Sequence, residues 1–280
     1  MKQILLLTLS LTVICLASCK KDIGNGKDLS EEEIILFEDA DFLHALLDVR
    51  EVNIFDYDRE EYIDYVIDID TNRDGQISTN EAQRVRIINL FDYKNDTGLN
   101  ILSMQEIKYF TSLEQLFCDK NRLASLDLNN NTALLFLTCY GNKLKELDIS
   151  GCKALKGLQC DQNLLTTLDI SDNTRLTWVN CSFNRLTTLD LSKNTDLEEL
   201  DCSENLLTTL DLSKNTHLEE VDCSYNRLTI LDLSKNINLS GLVCSENPLK
   251  KIILNKKNKI ESICIFAILN EYGDIIEYVE

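Results

Sequence analysis

From Leu113 onward the apolar positions fall into one order, L-x-x-L-x-C-x-x-N-x-L-x-x-L-D-L, which returns every 21 residues. Cys118, Cys139, Cys160, Cys181, Cys202, Cys223 and Cys244 keep the beat, and Asn121, Asn142, Asn163, Asn184, Asn205, Asn226 and Asn247 follow each by three. Leu116-Phe117-Cys118 alternates apolar, variable, apolar, the pattern of a short strand with one buried face. Leu123, Leu126 and Leu128 then line a return path, and the Asn is expected to turn the chain and satisfy main-chain groups of the neighbouring copy. So short a unit cannot bury its apolar side alone. Seven copies without insertion therefore predict a solenoid whose coils stack and whose strands form one parallel sheet.

The periodicity changes on either side. Between Ile34 and Ile69, Phe42, Leu43, Leu46, Leu47, Tyr62, Tyr65 and Val66 sit at helical spacing behind an acidic start at Glu38 to Asp41. This predicts a small helical subdomain, extending over 34–91. Glu81 to Leu90 reads as helix or strand, and Tyr93 to Gly98 breaks it with turn residues. Leu99 to Phe110 holds an imperfect repeat without Cys or Asn, the expected N-terminal cap (92–112) over the first core layer of repeats spanning 113–259. After Pro248 the pattern decays, with Ile253 in place of the Asp, and Ile265 and Ile268 at the Cys and Asn positions, so 260–280 reads as a C-terminal cap.

These residues resemble the leucine-rich repeat in the short form of internalin-like exported bacterial proteins, with Cys replacing the second strand leucine. The resemblance implies an α/β solenoid: a parallel β stack of seven 21-residue coils behind a small helical subdomain, closed by terminal caps. It also supports the order helix, calcium loop, cap, repeats.

Charge and cysteine count narrow the picture. With 28 Lys plus Arg against 47 Asp plus Glu the net charge is -19, so nucleic-acid backbones would be repelled. Lys250, Lys251, Lys256, Lys257 and Lys259 read as a solubilising edge. Of 11 cysteines, seven form the row, two lie near the N-terminus, and Cys152 and Cys264 remain. Residues in register across strands are about 4.7 to 4.9 Å apart, wider than the roughly 3.5 to 4.5 Å a disulfide wants between Cβ atoms. A straight row also offers zinc no tetrahedral site. The thiols are expected as core filler.

Met1, Lys2 and the apolar run Ile4 to Leu16 have signal-peptide form (1–18) and are too short for a comfortable membrane span. Leu16-Ala17-Ser18-Cys19 resembles the lipobox of bacterial lipoproteins. That resemblance implies acylation of Cys19, a lipidated tether over 19–33, and an exported protein at the outer membrane or cell surface; the alternative is an ordinary secretory leader with Cys19 incidental. Membrane contact is then expected through the N-terminal lipid only.

Asp70-Thr-Asn72-Arg-Asp74-Gly75-Gln76-Ile77-Ser78-Thr-Asn-Glu81 fills every position of a 12-residue calcium loop. Asp70, Asn72 and Asp74 supply side-chain oxygens, Gln76 a main-chain carbonyl, Ser78 a direct or water-mediated contact and Glu81 a bidentate carboxylate, while Gly75 makes the turn. The stretch resembles an EF-hand or dockerin-type loop. A single loop predicts modest affinity and a structural role for calcium; the alternative is an acidic turn capping a helix that starts near Thr79. Asp56 to Glu61 begins similarly but has Glu61 where Gly is needed, so no second loop is expected.

The outward strand positions are what differ between copies, and specificity is expected there. Phe117, Phe136, Tyr140, Trp178 and Phe183 place aromatics on that face beside Asn180, and Asp201 and Asp222 mark an acidic half. Gly157, between Phe136 and Trp178 along the stack, is expected to leave a recess for a partner's side chain. Aromatics inside a polar rim are typical of protein interfaces, so a protein ligand is the favoured partner and a glycan the alternative. No G-x-S-x-G, P-loop, H-E-x-x-H or Cys-His pairing is present, and no enzyme is expected.

Overall fold

The computed structural model describes residues 33–48, 50–56, 61–92, 97–257 and 275–280. The signal segment, Cys19, nearly all of the tether, Cys264, Ile265 and Ile268 lie outside them. From Glu32 to Glu280 the chain forms one compact unit.

Eight parallel strands form its main sheet, in chain order Ile87–Asn89, Gln115–Phe117, Phe136–Thr138, Gly157–Gln159, Trp178–Asn180, Glu199–Asp201, Glu220–Asp222 and Gly241–Val243. Register follows the repeat: Leu116, Leu137, Leu158, Val179, Leu200, Val221 and Leu242 pair in succession, all buried. Each strand is short because the chain turns two residues after the ladder Cys, at a residue of positive φ. The seven ladder cysteines are buried thiols outside any disulfide, and Cys118 and Cys139 each donate a thiol hydrogen bond to the next coil, at Thr138 O and Gln159 O. Burial pushes these thiols up, Cys181 to about 12, so they stay protonated and inert as nucleophiles.

The asparagine after each Cys performs the expected task. Asn184 is typical: Nδ2 donates to Cys160 O, Cys181 O and Ser182 O, and Oδ1 accepts from Leu165 N on the preceding coil. Groups orphaned by the tight turn are thereby satisfied without water. The residue before each Asn takes the left-handed conformation. Gly141 does so at φ 67°, where glycine is at ease, but Lys120, Gln162, Phe183, Glu204, Tyr225 and Glu246 hold positive φ despite their side chains.

A second polar row runs along the return path. Asn131, Asn173, Asn194, Asn215 and Asn236 are fully buried, and each Nδ2 donates to the carbonyls 24 and 21 residues earlier, as Asn173 does to Ile149 and Cys152. Cys152 occupies the missing rung. Its thiol faces the two equivalent carbonyls, Leu128 O at 3.3 Å and Asn131 O at 3.6 Å. The cysteine that the main ladder leaves over is thus a substituted asparagine of this row.

The ends differ from expectation. Ile87–Asn89 pairs in register with Gln115–Phe117, Ile88 opposite Leu116, so the sheet begins inside the segment assigned to the helical subdomain. That first coil is longer, 28 residues from Ile87 to Gln115 against 21 elsewhere, and the excess holds an antiparallel pairing of Phe91–Asp92 with Thr97–Gly98. The helical subdomain itself is one helix, Ala40–Leu47, followed by an antiparallel pair of strands, Arg50–Asp56 and Glu61–Ile67. Tyr62, Tyr65 and Val66 therefore stand on a strand. β-branched and aromatic residues dominate Val52 to Ile67, and their preference for a pleated backbone outweighs a weak helical spacing. At the other end Ile276–Val279 adds a parallel strand to Lys251–Asn255, which pairs with Ile230–Leu233. Lys251 and Lys256 reach Glu277 and Glu280 there, at 2.7 and 3.3 Å, so part of the basic run clips down the C-terminus.

Candidate functional site

The loop over 70–81 folds as its residue types require. Asp70 accepts from Asp74 N and Gly75 N, Asn72 from Asp74 N, and Asp74 from Gln76 N, while Gly75 turns the chain at φ 78°. Ile77 is fully buried and its carbonyl accepts from Ile35 N; Thr79 N donates to Glu33 O, and Ile34 bridges Ser78. The segment Glu33–Ile35 supplies the strand-like pairing partner of the loop.

Ser78 caps the short helix Thr79–Ala82 and forms a reciprocal capping box with Glu81. Oε2 of Glu81 accepts from Ser78 N and Oγ, and Oε1 from Thr71 N, Thr71 Oγ1 and Asn72 N. Burial pushes this carboxyl up, but the Ser78, Thr71 and Asn72 donors outweigh it and hold it below the usual glutamate value. Among the described residues no three His, Cys, Asp or Glu side chains gather as a metal centre. The all-oxygen donor set suits a hard cation such as calcium; Glu81 could join it only by exchanging its present hydrogen bonds.

On the sheet face the eight candidate residues separate into groups. Tyr140 stands edge-on to Phe91, centroids 6.0 Å apart, with Lys120 Nζ about equally near both rings, 5.6 and 5.7 Å. Phe117, Phe136 and Trp178 are half-buried on their strands, and Phe183 is 52% exposed at its left-handed turn. The anticipated recess at Gly157 is absent. A Cβ there would lie 2.8 Å from Phe136 Cδ1 and 3.2 Å from Trp178 Cε3, so the two rings have closed over the glycine and buried it. Asn180, Asp201 and Asp222 form one series, each Oδ1 accepting from the N–H and hydroxyl of the serine two residues on.

An open recess of about 460 Å³ lies further along the face, bounded by Trp178, Glu199, Asp201, Glu220, Asp222 and Val243. Trp178, Asp201 and Asp222 were expected at a partner site. Glu199 and Glu220 belong to the same acidic half, and the seventh coil's Gly241 and Val243 join them in a register that follows directly from the 21-residue period. Asp119, one residue beyond the ladder Cys118, is 2% exposed, accepts from Thr138 Oγ1 and Tyr140 N, and is pushed by burial to about 7.

A parallel sheet of 21-residue coils with an asparagine turn in each is a leucine-rich-repeat β-solenoid, and solved structures agree. The functional domain of InlJ from Listeria monocytogenes, described as including a cysteine ladder, is 32% identical over 69% of this chain and 49% of that one, with a TM-score of 0.52. A leucine-rich-repeat protein of Leptospira interrogans (18% identity, TM-score 0.53, 72% of this chain, 62% of that one) and the internalin InlF of Listeria monocytogenes (18%, 0.54, 65% and 62%) share the fold. The chain thus spans about half of the InlJ domain and under two thirds of the other two. No protein-family model matches the chain, and no curated protein matches it. The chain is a leucine-rich-repeat protein.

Proposed function

We propose that this protein is a protein-binding module that presents the outward face of its eight-stranded sheet to a partner, anchored at the cell surface through a lipid on Cys19. The observation that carries the reading is the recess between Trp178 and Val243, where side chains from four in-register coils meet around one concavity. Adhesion or assembly of an envelope complex would both use such a face. A glycan partner has less support, because Phe136 packs over Gly157 and Tyr140 is engaged with Phe91 and Lys120, which takes both rings out of a stacking row beside Trp178. The anchor rests on the Leu16-Ala17-Ser18-Cys19 sequence.

Full-length protein incubated with envelope and extracellular extracts should retain a protein, and Glu220→Lys in the recess should release it while the far-UV spectrum stays unchanged. Retention of polysaccharide alone would favour the glycan. A fatty-acid analogue should label the protein and fail to label Cys19→Ala.

Calcium is proposed for the loop, held by Asp70, Asn72, Asp74, the Gln76 carbonyl, Ser78 and Glu81, where it would supply charge compensation and rigidity rather than chemistry. Binding to the folded state alone raises the melting temperature by mass action. The melting temperature should therefore climb with calcium up to roughly 10 mM, above the ~0.1 to 1 mM range of extracellular modules, and Glu81→Ala should blunt the rise. No shift would leave the loop as the helix-capping turn its hydrogen bonds already make.

A further inference from the structure

The recess has a charge problem that the chain does not solve for itself. Glu199 lies in register with Glu220, and Asp201 with Asp222, on adjacent strands. Four carboxylates thus face one concavity at the roughly 4.8 Å strand spacing, and like charges directly opposite each other destabilise a sheet. Asp201 and Asp222 are pinned by Ser203 and Ser224. Among the described residues no cation pairs with Glu199 or Glu220. Burial, then Glu220, Glu198 and Glu219, push the Glu199 carboxyl above its usual range. On its other side Glu199 is in register with Trp178, whose half-buried indole lines the same recess.

An indole face and a pair of carboxylates are complementary to one kind of side chain. Guanidinium is planar, permanently charged, donates in a fork that matches carboxylates and stacks on aromatic rings; an ammonium offers only a compact, strongly hydrated charge. We propose, resting on the protein-binding reading above, that the recess receives an arginine from an exposed segment of the partner protein, its guanidinium against Trp178 and between Glu199 and Glu220. Val243, 43% exposed at the far side, gives the arginine's neighbour an apolar contact.

Trp178 is the only tryptophan, so its emission reports on this recess alone. Full-length protein at about 0.15 M salt, an ionic strength that screens exposed charges beyond ~8 Å, is titrated with acetyl-Gly-Val-Arg-Ser-Gly-amide and with its citrulline and lysine counterparts. The arginine peptide should give a saturable emission change, at least tenfold weaker with citrulline and at least threefold weaker with lysine. Glu199→Gln with Glu220→Gln should weaken it tenfold or more without lowering the melting temperature. Asp190→Asn with Asp211→Asn, the same change in charge on turns away from the strands, should leave it within twofold. No saturable change, equal binding of citrulline, or equal loss in the Asp190/Asp211 variant overturns the assignment. A captured protein whose binding survives the Glu199/Glu220 variant but is lost on Phe136→Ala overturns it too, with the protein-binding face intact; a face that captures no protein fails the underlying reading instead.

Discussion

The repeat array and the segment that precedes it are held together in opposite ways. In the array each stabilising contact recurs every 21 residues, so Asn163, Asn184 and Asn205 make the same hydrogen bonds one coil apart. In the preceding segment each contact is made once. Asp39 caps the helix Ala40–Leu47 through Asp41 N and Phe42 N with one oxygen, and with the other accepts from Leu102 N and Ser103 N, tying the helix to the cap. Repetition spreads cooperativity along a stack whose coils support only their neighbours; single contacts make a region that can open by itself.

The largest expected effect comes from breaking a repeated contact. Asn184→Ala removes four hydrogen bonds and strands buried backbone groups on two coils. At about 1 to 3 kcal/mol per buried group left unsatisfied, the loss should reach roughly 3 kcal/mol or more in urea unfolding. A loss below about 1 kcal/mol would mean the coils do not depend on the ladder.

Asp39→Ala should cost less, about 2 kcal/mol for a lost cap and tether, and should act locally. Hydrogen exchange at 40–47 and 102–103 should quicken while 179–202 stays protected. If both regions exchange faster together, the segment and the array are one cooperative unit.

The two regions also differ in the sign of their pH response. Burial works to raise the Asp39 carboxyl, but its four backbone donors hold it below the usual value. Its contribution is therefore full above an unfolded pKa of about 3.9 and lost as pH falls through the folded value. Asp119, in the array, is pushed to about 7. The folded state is then favoured while Asp119 is protonated, below about pH 3.9, and that advantage disappears as pH rises through about 7. Asp119→Asn keeps an acceptor for Tyr140 N and reverses the bond to Thr138 Oγ1, the amide donating where the carboxylate accepts. It should raise stability at pH 8 by about 1 kcal/mol or more, the scale of one pKa unit, and flatten the slope between pH 4 and 7; unchanged stability at pH 8 would show that water reaches the carboxylate.

What could be read before the structure follows the same division. The coils were legible because seven repetitions of Leu116-x-Cys118 and Asn121 average away the accidents of any one copy. The row of Asn131, Asn173, Asn194, Asn215 and Asn236 was equally periodic, and counting from it places Cys152. Ahead of the repeat nothing averages, and Tyr62, Tyr65 and Val66 alone cannot distinguish a helical face from a strand. The recess expected at Gly157 fails for a third reason: an absent side chain is not an open space, because rings as large as Phe136 and Trp178 fold into the gap between them.

The smallest effect concerns the left-handed turn, where one structural position carries two demands. Gly141 meets its positive φ without strain, whereas Phe183 and Tyr225 hold it with aromatic rings 52% and 50% exposed. A non-glycine residue in this region costs about 1 kcal/mol or more, least for asparagine. Exposed rings return little of that through burial, so their presence in the coils that contribute Trp178 and Glu220 to the recess fits a role in binding. Phe183→Asn should raise stability by roughly 0.5 to 1 kcal/mol, from the difference in left-handed strain, while weakening capture of the partner. If thermal unfolding shows stability lowered instead, the Phe183 ring packs the array more than it serves the face, and the strained turn is structural.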